Sequence, residues 1–289
     1  MMRLGAVLLV LGMAGGAALD LAPAAPPTTA AGWRIVQADF HVHSFFGDGT
    51  LSPIHLLLEA RRRGLDAIAL TNHNQTLVAR ATRALSRAMG GPTVLVGEEI
   101  TARRWHLIGV GIRDTVSWRQ PLEAAIDAVH AQGGVAILAH PVDIYRSALN
   151  DAARTTLDGT EVRHALLDLS PRRKQELEEV FAQVRARHPG AAPIGSSDDH
   201  GGGGLGEPRT YVFAYDASEE AIVEAIRAGR TVAVWHGEPY GDPALVSLLP
   251  APGTPPARSA MRTAVGLLGW AGVAGLVFGR TRAVRTPAD

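Results

Sequence analysis

Short apolar runs that end in histidine or a carboxylate constrain this chain more than any other feature. The first run starts at Ile35 and reaches His41 and His43, whose period-two spacing puts both imidazoles on one face of a strand. Asp48 follows between two glycines in a Gly-Asp-Gly-Thr turn, where the chain can fold back toward the two histidines. Three potential metal ligands are therefore expected in one place.

Other apolar runs of strand length end in the same way. They are residues 65–70 before His73, 92–96 before Glu99, 134–139 before His140, and 192–195 before Asp198 and His200, with His106 inside the run 105–110. Helical stretches separate most of them, at 53–64, 77–89, 121–132, 171–188 and 219–229. This alternation predicts an α/β domain with parallel pairing, either a barrel or a doubly wound sheet. In a barrel, functional side chains gather at the C-terminal ends of the strands.

The candidate ligands differ in how well they fit one site. Glu98 and Glu99 cannot both face it, because neighbours on a strand point to opposite sides. Asp198 has the alternative of capping a helix, and His106 the alternative of a core position. The remaining histidines are His55, His130, His164, His188 and His236. They are expected to be solvated or core imidazoles, although His164 and His236 lie nearer strand ends and are stronger candidates for function than the other three.

The N-terminal residues 1–31 predict a secretory signal or an uncleaved membrane anchor. Arg3 precedes an apolar stretch from Leu4 to Leu19, and an A-x-A match follows at Ala22 and Ala24. The catalytic or binding domain would then occupy residues 32–250.

The C-terminal part predicts a second membrane segment. After a linker at 251–262, residues 263–279 contain no charge and are just long enough to span a bilayer. The tail 280–289 carries Arg280, Arg282 and Arg285, which the positive-inside rule assigns to the cytoplasm. The domain is therefore expected to be exported and anchored at the membrane.

Charge and cysteine content narrow the partners. The 28 basic residues balance 28 acidic ones, so the electrostatic footprint of a nucleic-acid-binding protein is missing and small-molecule substrates are expected. The chain contains no cysteine, so an exported domain would depend on its core and on bound metal rather than on disulfides.

Six motifs together resemble the PHP (polymerase and histidinol phosphatase) superfamily. They are DFHVHSFFGDGT, ALTNHN, VGEEIT, HLIGVG, ILAHP and SSDDHG, in the family's order and at similar intervals between Arg34 and Gly237. Among the branches, the chain looks most like the CehA/McbA-type metallohydrolases. The resemblance implies a distorted (β/α)7 barrel that binds two or three divalent metal ions, Zn, Mn or Fe. The ligands that it implies are His41, His43, Asp48, His73, Glu99, His106, His140, Asp198 and His200.

One position departs from the family pattern. Many members have Thr-Asp-His where this chain has Thr71-Asn72-His73, and an amide lacks the negative charge of a carboxylate. Asn72 is therefore predicted to orient ligands or substrate rather than to move a proton.

The donor set predicts hydrolysis by a metal-activated water, with Asp198 as the group that also passes a proton to the leaving group. A phosphoester substrate is favoured, with Arg146 and Arg104 as candidates to bind its oxygens. Carbamate or amide hydrolysis, which needs fewer cations, is the first alternative. The second is a non-catalytic metal-bound module tethered to a membrane, although a structural site needs only about four ligands.

Overall fold

The computed structural model describes residues 2–21, 26–201, 204–250 and 257–283. The helices are α1 (Met2–Leu21), α2 (Pro53–Arg62), α3 (Leu77–Met89), α4 (Leu122–His130), α5 (Asp151–Thr156), α6 (Pro171–Arg187), α7 (Glu219–Arg227), α8 (Pro243–Val246) and α9 (Ala257–Ala283). The strands are β1 (Thr28–Ala30), β2 (Trp33–Val42), β3 (Ala67–Leu70), β4 (Thr93–Ala102), β5 (Trp105–Val110), β6 (Val135–Leu138), β7 (Gly159–His164), β8 (Ala192–Ser196), β9 (Arg209–Ala214), β10 (Thr231–Trp235) and β11 (Glu238–Gly241). The chain divides into a central domain, Pro26–Pro250, and a terminal unit that contains α1 and α9.

The central domain is a mixed α/β barrel. Its strands follow the order β11-β10-β9-β2-β3-β4-β5-β6-β7-β8, and β1 adds to β2. Side-chain bonds bring β8 back to the start of the sheet: the Gly195 amide donates to Thr210 Oγ1 at 2.9 Å, and Thr231 Oγ1 donates to the Pro193 carbonyl at 2.9 Å. The sheet is therefore nearly closed, as predicted for a distorted barrel.

The prediction of uniformly parallel pairing is wrong. Strands β2, β3 and β4 are parallel, as are β6, β7 and β8, but β5 runs antiparallel to both of its neighbours. Strand β9 is antiparallel to β2 and β10. The C-terminal ends of β2, β3, β4, β6, β7 and β8 nevertheless share one face of the barrel, which we call the upper face.

The lower part of the barrel is filled by apolar side chains. Val36, Phe40, Leu95, Ile137 and Ile194 are fully buried in one cluster between the strands. Their alternation along the strands gives the pleated backbone an apolar inner surface, as barrel packing requires. This core fixes the positions of the strand ends above it.

Local sequence signals place the helices that surround the barrel. The Ser52 side chain accepts a hydrogen bond from the His55 amide, and Pro53 occupies the first turn of α2. Ser218 caps α7 in the same way, and α3 ends at Gly90 in the left-handed conformation, with φ 58°.

The terminal unit consists of two apolar helices that are long enough to cross a membrane, Met2–Asp20 and Met261–Gly279, judged by length and composition. Helix α9 begins at Ala257, inside the segment predicted as a linker. The A-x-A match at Ala22 and Ala24 and the end of the tail, 284–289, lie outside the described residues.

Candidate metal centre

The strand ends bring all nine predicted ligands together at the upper face. They form four overlapping groups in which the donor atoms of each group lie within 4.8 Å of one another. The groups are His43-Asp48-His73-His200, His41-His43-Glu99, His41-His140-Asp198 and Glu99-His106-His140. Donors as far apart in the sequence as His41 and His200 thus share one small volume.

Glu99 lies at the centre of the cluster. Its Oε1 is 2.7 Å from His106 Nδ1 and 3.1 Å from His140 Nε2. Its Oε2 is 3.3 Å from His41 Nε2 and 2.8 Å from His73 Nδ1. Glu98 points to the other side of β4, where it accepts the Val116 amide at 2.5 Å. The sequence argument that only one of the two glutamates faces the site is therefore correct.

Asp48 closes one side of the cluster from the loop after β2. Its carboxylate lies 3.1 Å from a ring nitrogen of each of His43, His73 and His200. Gly49 allows the loop to return this far, because a Cβ at Gly49 would lie 2.6 Å from the His43 carbonyl. The sequence expectation of a turn at Gly-Asp-Gly-Thr that folds back agrees with this geometry.

Asp198 closes the opposite side from the loop after β8. Its Oδ1 lies 3.2 Å from Nε2 of both His41 and His43. Asp198 has a φ of 53° and His140 a φ of 26°, conformations that are costly for residues other than glycine. Backbone strain of this kind is concentrated at functional sites, where the surrounding structure holds it.

The electrostatics keep the carboxylates ionised. Burial acts to raise the pKa of Glu99, but His41, His106 and His140 hold it well below its usual range. The pKa of Asp198 is likewise held well below its usual range, since His41, His164 and His43 outweigh the effect of burial. Burial acts to lower the pKa of His41, His43 and His140, but the carboxylates raise it above the usual range. Ionised carboxylates therefore face imidazoles whose protons a divalent cation would replace.

Unpartnered buried atoms test whether a metal fits. Within the described part of the chain, Nε2 of His41, both ring nitrogens of His43 and Oδ1 of Asp198 form no hydrogen bond of acceptable geometry. Buried polar atoms without partners are costly, and cations would satisfy His41 Nε2, Asp198 Oδ1 and one ring nitrogen of His43, since the other nitrogen of a neutral imidazole carries its proton. Imidazole and carboxylate donors in this number suit Zn, Mn or Fe. The residues present thus fit the divalent ions that the sequence predicts.

Glu161 is a functional candidate that the sequence analysis did not single out. It is fully buried on β7, with Oε1 3.0 Å from His41 Nδ1 and Oε2 accepting the His140 amide at 2.5 Å. A carboxylate on Nδ1 fixes the tautomer of an imidazole so that Nε2 is free to bind a metal. The sequence signal that could have found Glu161 was a charged side chain in the middle of a short strand.

His164 also belongs to this site, although it was expected to be a solvated or core imidazole. It is buried at the end of β7, with Nε2 3.3 Å from Asp198 Oδ2. Its Nδ1 accepts the Leu166 amide at 3.3 Å, which leaves the proton of a neutral ring on Nε2, facing Asp198. The signal was its position at a strand end, the same signal that identified His140.

A second buried carboxylate, Asp39 on β2, ties the end of this strand, which carries His41, to the loop after β8, which carries Asp198. It accepts the amides of His41 at 3.2 Å, Ser197 at 3.1 Å and Gly206 at 2.7 Å, and the Ser197 hydroxyl at 2.5 Å. Burial raises the pKa of Asp39 to about 6, although these hydrogen bonds act in the opposite direction.

The predicted substrate-binding residues lie near the cluster in different environments. Asn72 is buried, and its amide accepts from the Ser44 amide at 2.7 Å and donates to the Ser44 hydroxyl at 2.8 Å, so it orients the loop after His43. Arg146 is exposed in the short helical turn Asp143–Arg146 that follows His140. Arg104 bonds Ser147 at 3.1 Å, next to Arg146. Their roles toward a substrate stay predictions.

Comparison with solved structures agrees with this architecture. A two-domain protein from Bacteroides vulgatus ATCC 8482, containing a predicted PHP-like metal-dependent phosphoesterase, superposes with a TM-score of 0.62 at 24% identity, over 78% of this chain and 73% of that one. The fold is PHP-like. PsfC from Pseudomonas syringae PB-5123 also has a related fold, with a TM-score of 0.51 at 15% identity over 80% of this chain and 99% of its own.

Sequence comparisons match parts of the chain. No protein-family model matches the chain. An uncharacterised protein of Methanocaldococcus jannaschii is 29% identical over 142 residues, which are 45% of this chain and 82% of that protein. The phosphoribosyl 1,2-cyclic phosphate 1,2-diphosphodiesterase of Eggerthella lenta is 34% identical over 82 residues, which are 26% of this chain and 31% of the enzyme.

Proposed function

We propose that the PHP-like domain is a metal-dependent hydrolase that acts on phosphoesters. The observation that carries this proposal is the convergence of nine histidine and carboxylate side chains into four overlapping donor groups. A structural metal site is complete with about four protein ligands. Nine ligands, of which His41, His43, Glu99 and His140 each belong to two groups, support two or three adjacent cations, the arrangement used for hydrolysis, over a non-catalytic module.

Each set of residues has a defined task in this proposal. Divalent cations in the cluster would supply Lewis-acid chemistry and an activated water. Glu161 holds His41 in the metal-binding tautomer, and Glu99 bridges the two sides of the cluster. Asp198 is placed by His164 and is our candidate to pass a proton to the leaving group.

A phosphoester is favoured over a carbamate or amide for two reasons. The local sequence similarity of 34% is to an enzyme that acts on a cyclic phosphate. Arg146 and Arg104 lie on the loops of the upper face, where guanidinium groups can bind non-bridging phosphate oxygens. Carbamate hydrolysis would need neither arginine.

The test combines metal content with a substrate panel on the full-length protein. Metal would be quantified after purification, and p-nitrophenyl phosphate, bis-p-nitrophenyl phosphate and an aryl carbamate would be assayed in parallel. His41→Gln should lose metal and turnover, whereas His55→Gln, on an exposed position of α2, should keep both. Turnover of the carbamate alone would replace the phosphoester proposal, and turnover that persists without metal would remove the hydrolase mechanism.

We also propose that α1 remains attached as a membrane anchor. Helices α1 and α9 pack antiparallel through glycines: a Cβ on Gly12 would lie 2.6 Å from Gly269, and one on Gly272 would lie 2.4 Å from Leu9. Asp20 and Arg262 form an ion pair at one end of the pair. Close glycine packing is the usual way in which two membrane helices associate. Such a hairpin supports an exported domain between two spans.

N-terminal sequencing of the protein extracted from membranes tests this anchor. We expect the mature chain to begin at or near Met1 and to resist carbonate extraction. A start after Ala24 would identify residues 1–24 as a cleaved signal and leave α9 as the only anchor among the described helices.

A further inference from the structure

Large apolar side chains that are exposed on the central domain are unevenly distributed between its two faces. Seven of the nine in the described residues of 26–250 follow the C-terminal ends of upper-face strands: Phe45, Phe46, Ile54, Leu77, Ile144, Leu166 and Leu169. The other two, Trp118 and Tyr215, follow the antiparallel strands β5 and β9 and therefore lie at the opposite face. Exposed apolar side chains that gather on the face of a polar site are candidates to bind the apolar part of its ligand.

Five of these side chains, Phe45, Phe46, Ile144, Leu166 and Leu169, form what we call the apolar rim. The rim residues adjoin the site along the chain. Phe45 and Phe46 lie between His43 and Asp48 in the sequence, with exposed fractions of 66% and 63%. Their ring centroids are 6.0 Å apart in an edge-to-face arrangement. The Leu166 amide donates to His164, and the Leu166 side chain is 71% exposed.

Ile144, another rim residue, lies next to a tyrosine that contacts two of the predicted metal ligands. Ile144 precedes Tyr145, whose ring centroid lies 4.4 Å from that of His106 and 5.3 Å from that of His140. Ile144 itself is 49% exposed. Loops after three different strands thus present apolar side chains around one polar centre.

Cationic side chains share this face. Arg146 follows Tyr145 directly, and Arg172 and Arg173 of α6 pair with Asp143 in the same turn. Arg172 and Arg173 also pair with Glu176, so Arg146 is the cation nearest the rim that is left for a ligand. A phosphate that carries an apolar substituent would match divalent cations, this arginine and the apolar rim together. We propose that the substrate is an amphiphilic phosphoester, whose phosphate binds at the metal centre while its alkyl chain lies against the apolar rim. This inference rests on the proposed phosphoesterase function and specifies its substrate class.

Alkylphosphonates separate the two parts of this inference, because they bind like phosphoesters and are not hydrolysed. The affinities of methylphosphonate and octylphosphonate would be measured by calorimetry on the full-length protein in nanodiscs, carrying the metal with which it purifies. Burial of methylene groups favours binding, so even partial contact of an octyl chain with the rim should strengthen binding about tenfold or more relative to methylphosphonate. We expect Phe45→Ser/Phe46→Ser to reduce the octyl-to-methyl affinity ratio by about fivefold.

The matched control is Tyr215→Ser, which removes a side chain that is 70% exposed on the opposite face and should leave the ratio unchanged. Partitioning of octylphosphonate into lipid is the same for every variant, so only a rim contact makes the ratio depend on Phe45 and Phe46. A ratio near one in the unaltered protein, or a ratio that the rim substitutions leave intact, would overturn the inference.

The same variants assayed on p-nitrophenyl methyl phosphate and p-nitrophenyl octyl phosphate give a second readout. We expect kcat/KM to favour the octyl ester and this preference to fall in the rim variant. If no phosphoester is hydrolysed while octylphosphonate still binds through the rim, the proposed catalytic function fails but the assignment of an amphiphilic phosphate ligand stands. The reverse result, turnover without any chain-length preference, removes only the inference.

Discussion

The upper and lower parts of the barrel use the same strands for opposite purposes. On β2, Val36 and Phe40 fill the apolar core, whereas His41 and His43 line the candidate metal centre. The change from core to site occurs where the pairing of β2 with β3 shifts register, between Asp39 and Val42. On β4, Leu95 belongs to the core and Glu99 to the cluster. All of these side chains are essentially buried, so burial alone does not separate the two parts.

Their energetics differ in sign. Burying the lower side chains stabilises the fold in proportion to the apolar area removed from water. Burying imidazoles and carboxylates costs free energy unless each charge is paired, and several atoms here have no good partner within the described residues. A bound cation would therefore stabilise the upper part by satisfying these atoms, while the lower part holds the strands in place for it.

Exchanging Glu99 for glutamine should change the upper part of the barrel more than any other substitution, through its bound metal and its turnover. Glu99→Gln removes the negative charge that faces five imidazoles, so we expect loss of bound metal and a fall of about 10³-fold or more in turnover, or about 4 kcal/mol. Metal analysis and steady-state kinetics would measure it. Glu98→Gln, one residue earlier on β4, is the matched control and should keep its metal. Equal losses in both variants would mean that β4, and not the site, had been disturbed.

A core substitution on β2 should affect stability without affecting the ligands. Phe40→Ala leaves a cavity in the lower part, and we expect the free energy of unfolding to fall by about 3–5 kcal/mol. Denaturant unfolding would measure this, with metal stoichiometry determined below the transition. A variant that folds yet binds less metal per molecule would show that the two parts are coupled more tightly than the packing indicates.

Glu161 tests how far the site depends on residues behind the ligands. Glu161→Gln keeps a hydrogen-bonding oxygen near His41 Nδ1 but loses the charge, so metal affinity should fall about 10- to 100-fold. Competition against a chelator of known affinity would measure it. Glu220→Gln, exposed on α7, should retain the affinity of the unaltered protein. An unchanged affinity in Glu161→Gln would limit that residue to a structural role.

The sequence predicted most elements and all of the clustered donors, but it missed strand direction. The helix expected at 77–89 is α3, and strand ends identified the nine donors because apolar runs and polar ends are local signals. The antiparallel turn of β5 was missed because β4 was expected to end near 96. Strand β4 continues to Ala102, and only Arg103 and Arg104 separate it from β5. A connection of two residues is too short to join parallel strands, so β5 must run antiparallel to β4.

The residues behind the ligands escaped the sequence analysis for a different reason. Glu161 and His164 lie on β7, where Val162 is the only large apolar residue, so no apolar run marked this stretch as a buried strand. Helix α5 and strand β11 are short elements that tertiary contacts define. Local sequence patterns thus identified the nine donor side chains, whereas the three-dimensional structure was needed to find Glu161 and His164, which hold those donors in position.

The two sides of β4 provide the smallest and most specific test. Burial raises the pKa of Glu98 to about 7, against the hydrogen bond from Val116, whereas Glu99 remains ionised. Because the folded state holds this proton more tightly than the unfolded state, Glu98 stabilises the fold below about pH 4.5, and this contribution is lost as the pH rises to about 7. The full shift corresponds to about 3 kcal/mol, and relaxation around the carboxylate should leave about half of it.

In metal-free protein, the difference in unfolding free energy between Glu98→Gln and the unaltered chain should therefore increase in favour of the variant over this pH range. A difference that is constant with pH would mean that Glu98 is ionised in the folded barrel, and the contrast between the two faces of β4 would then be one of hydrogen bonding and not of charge.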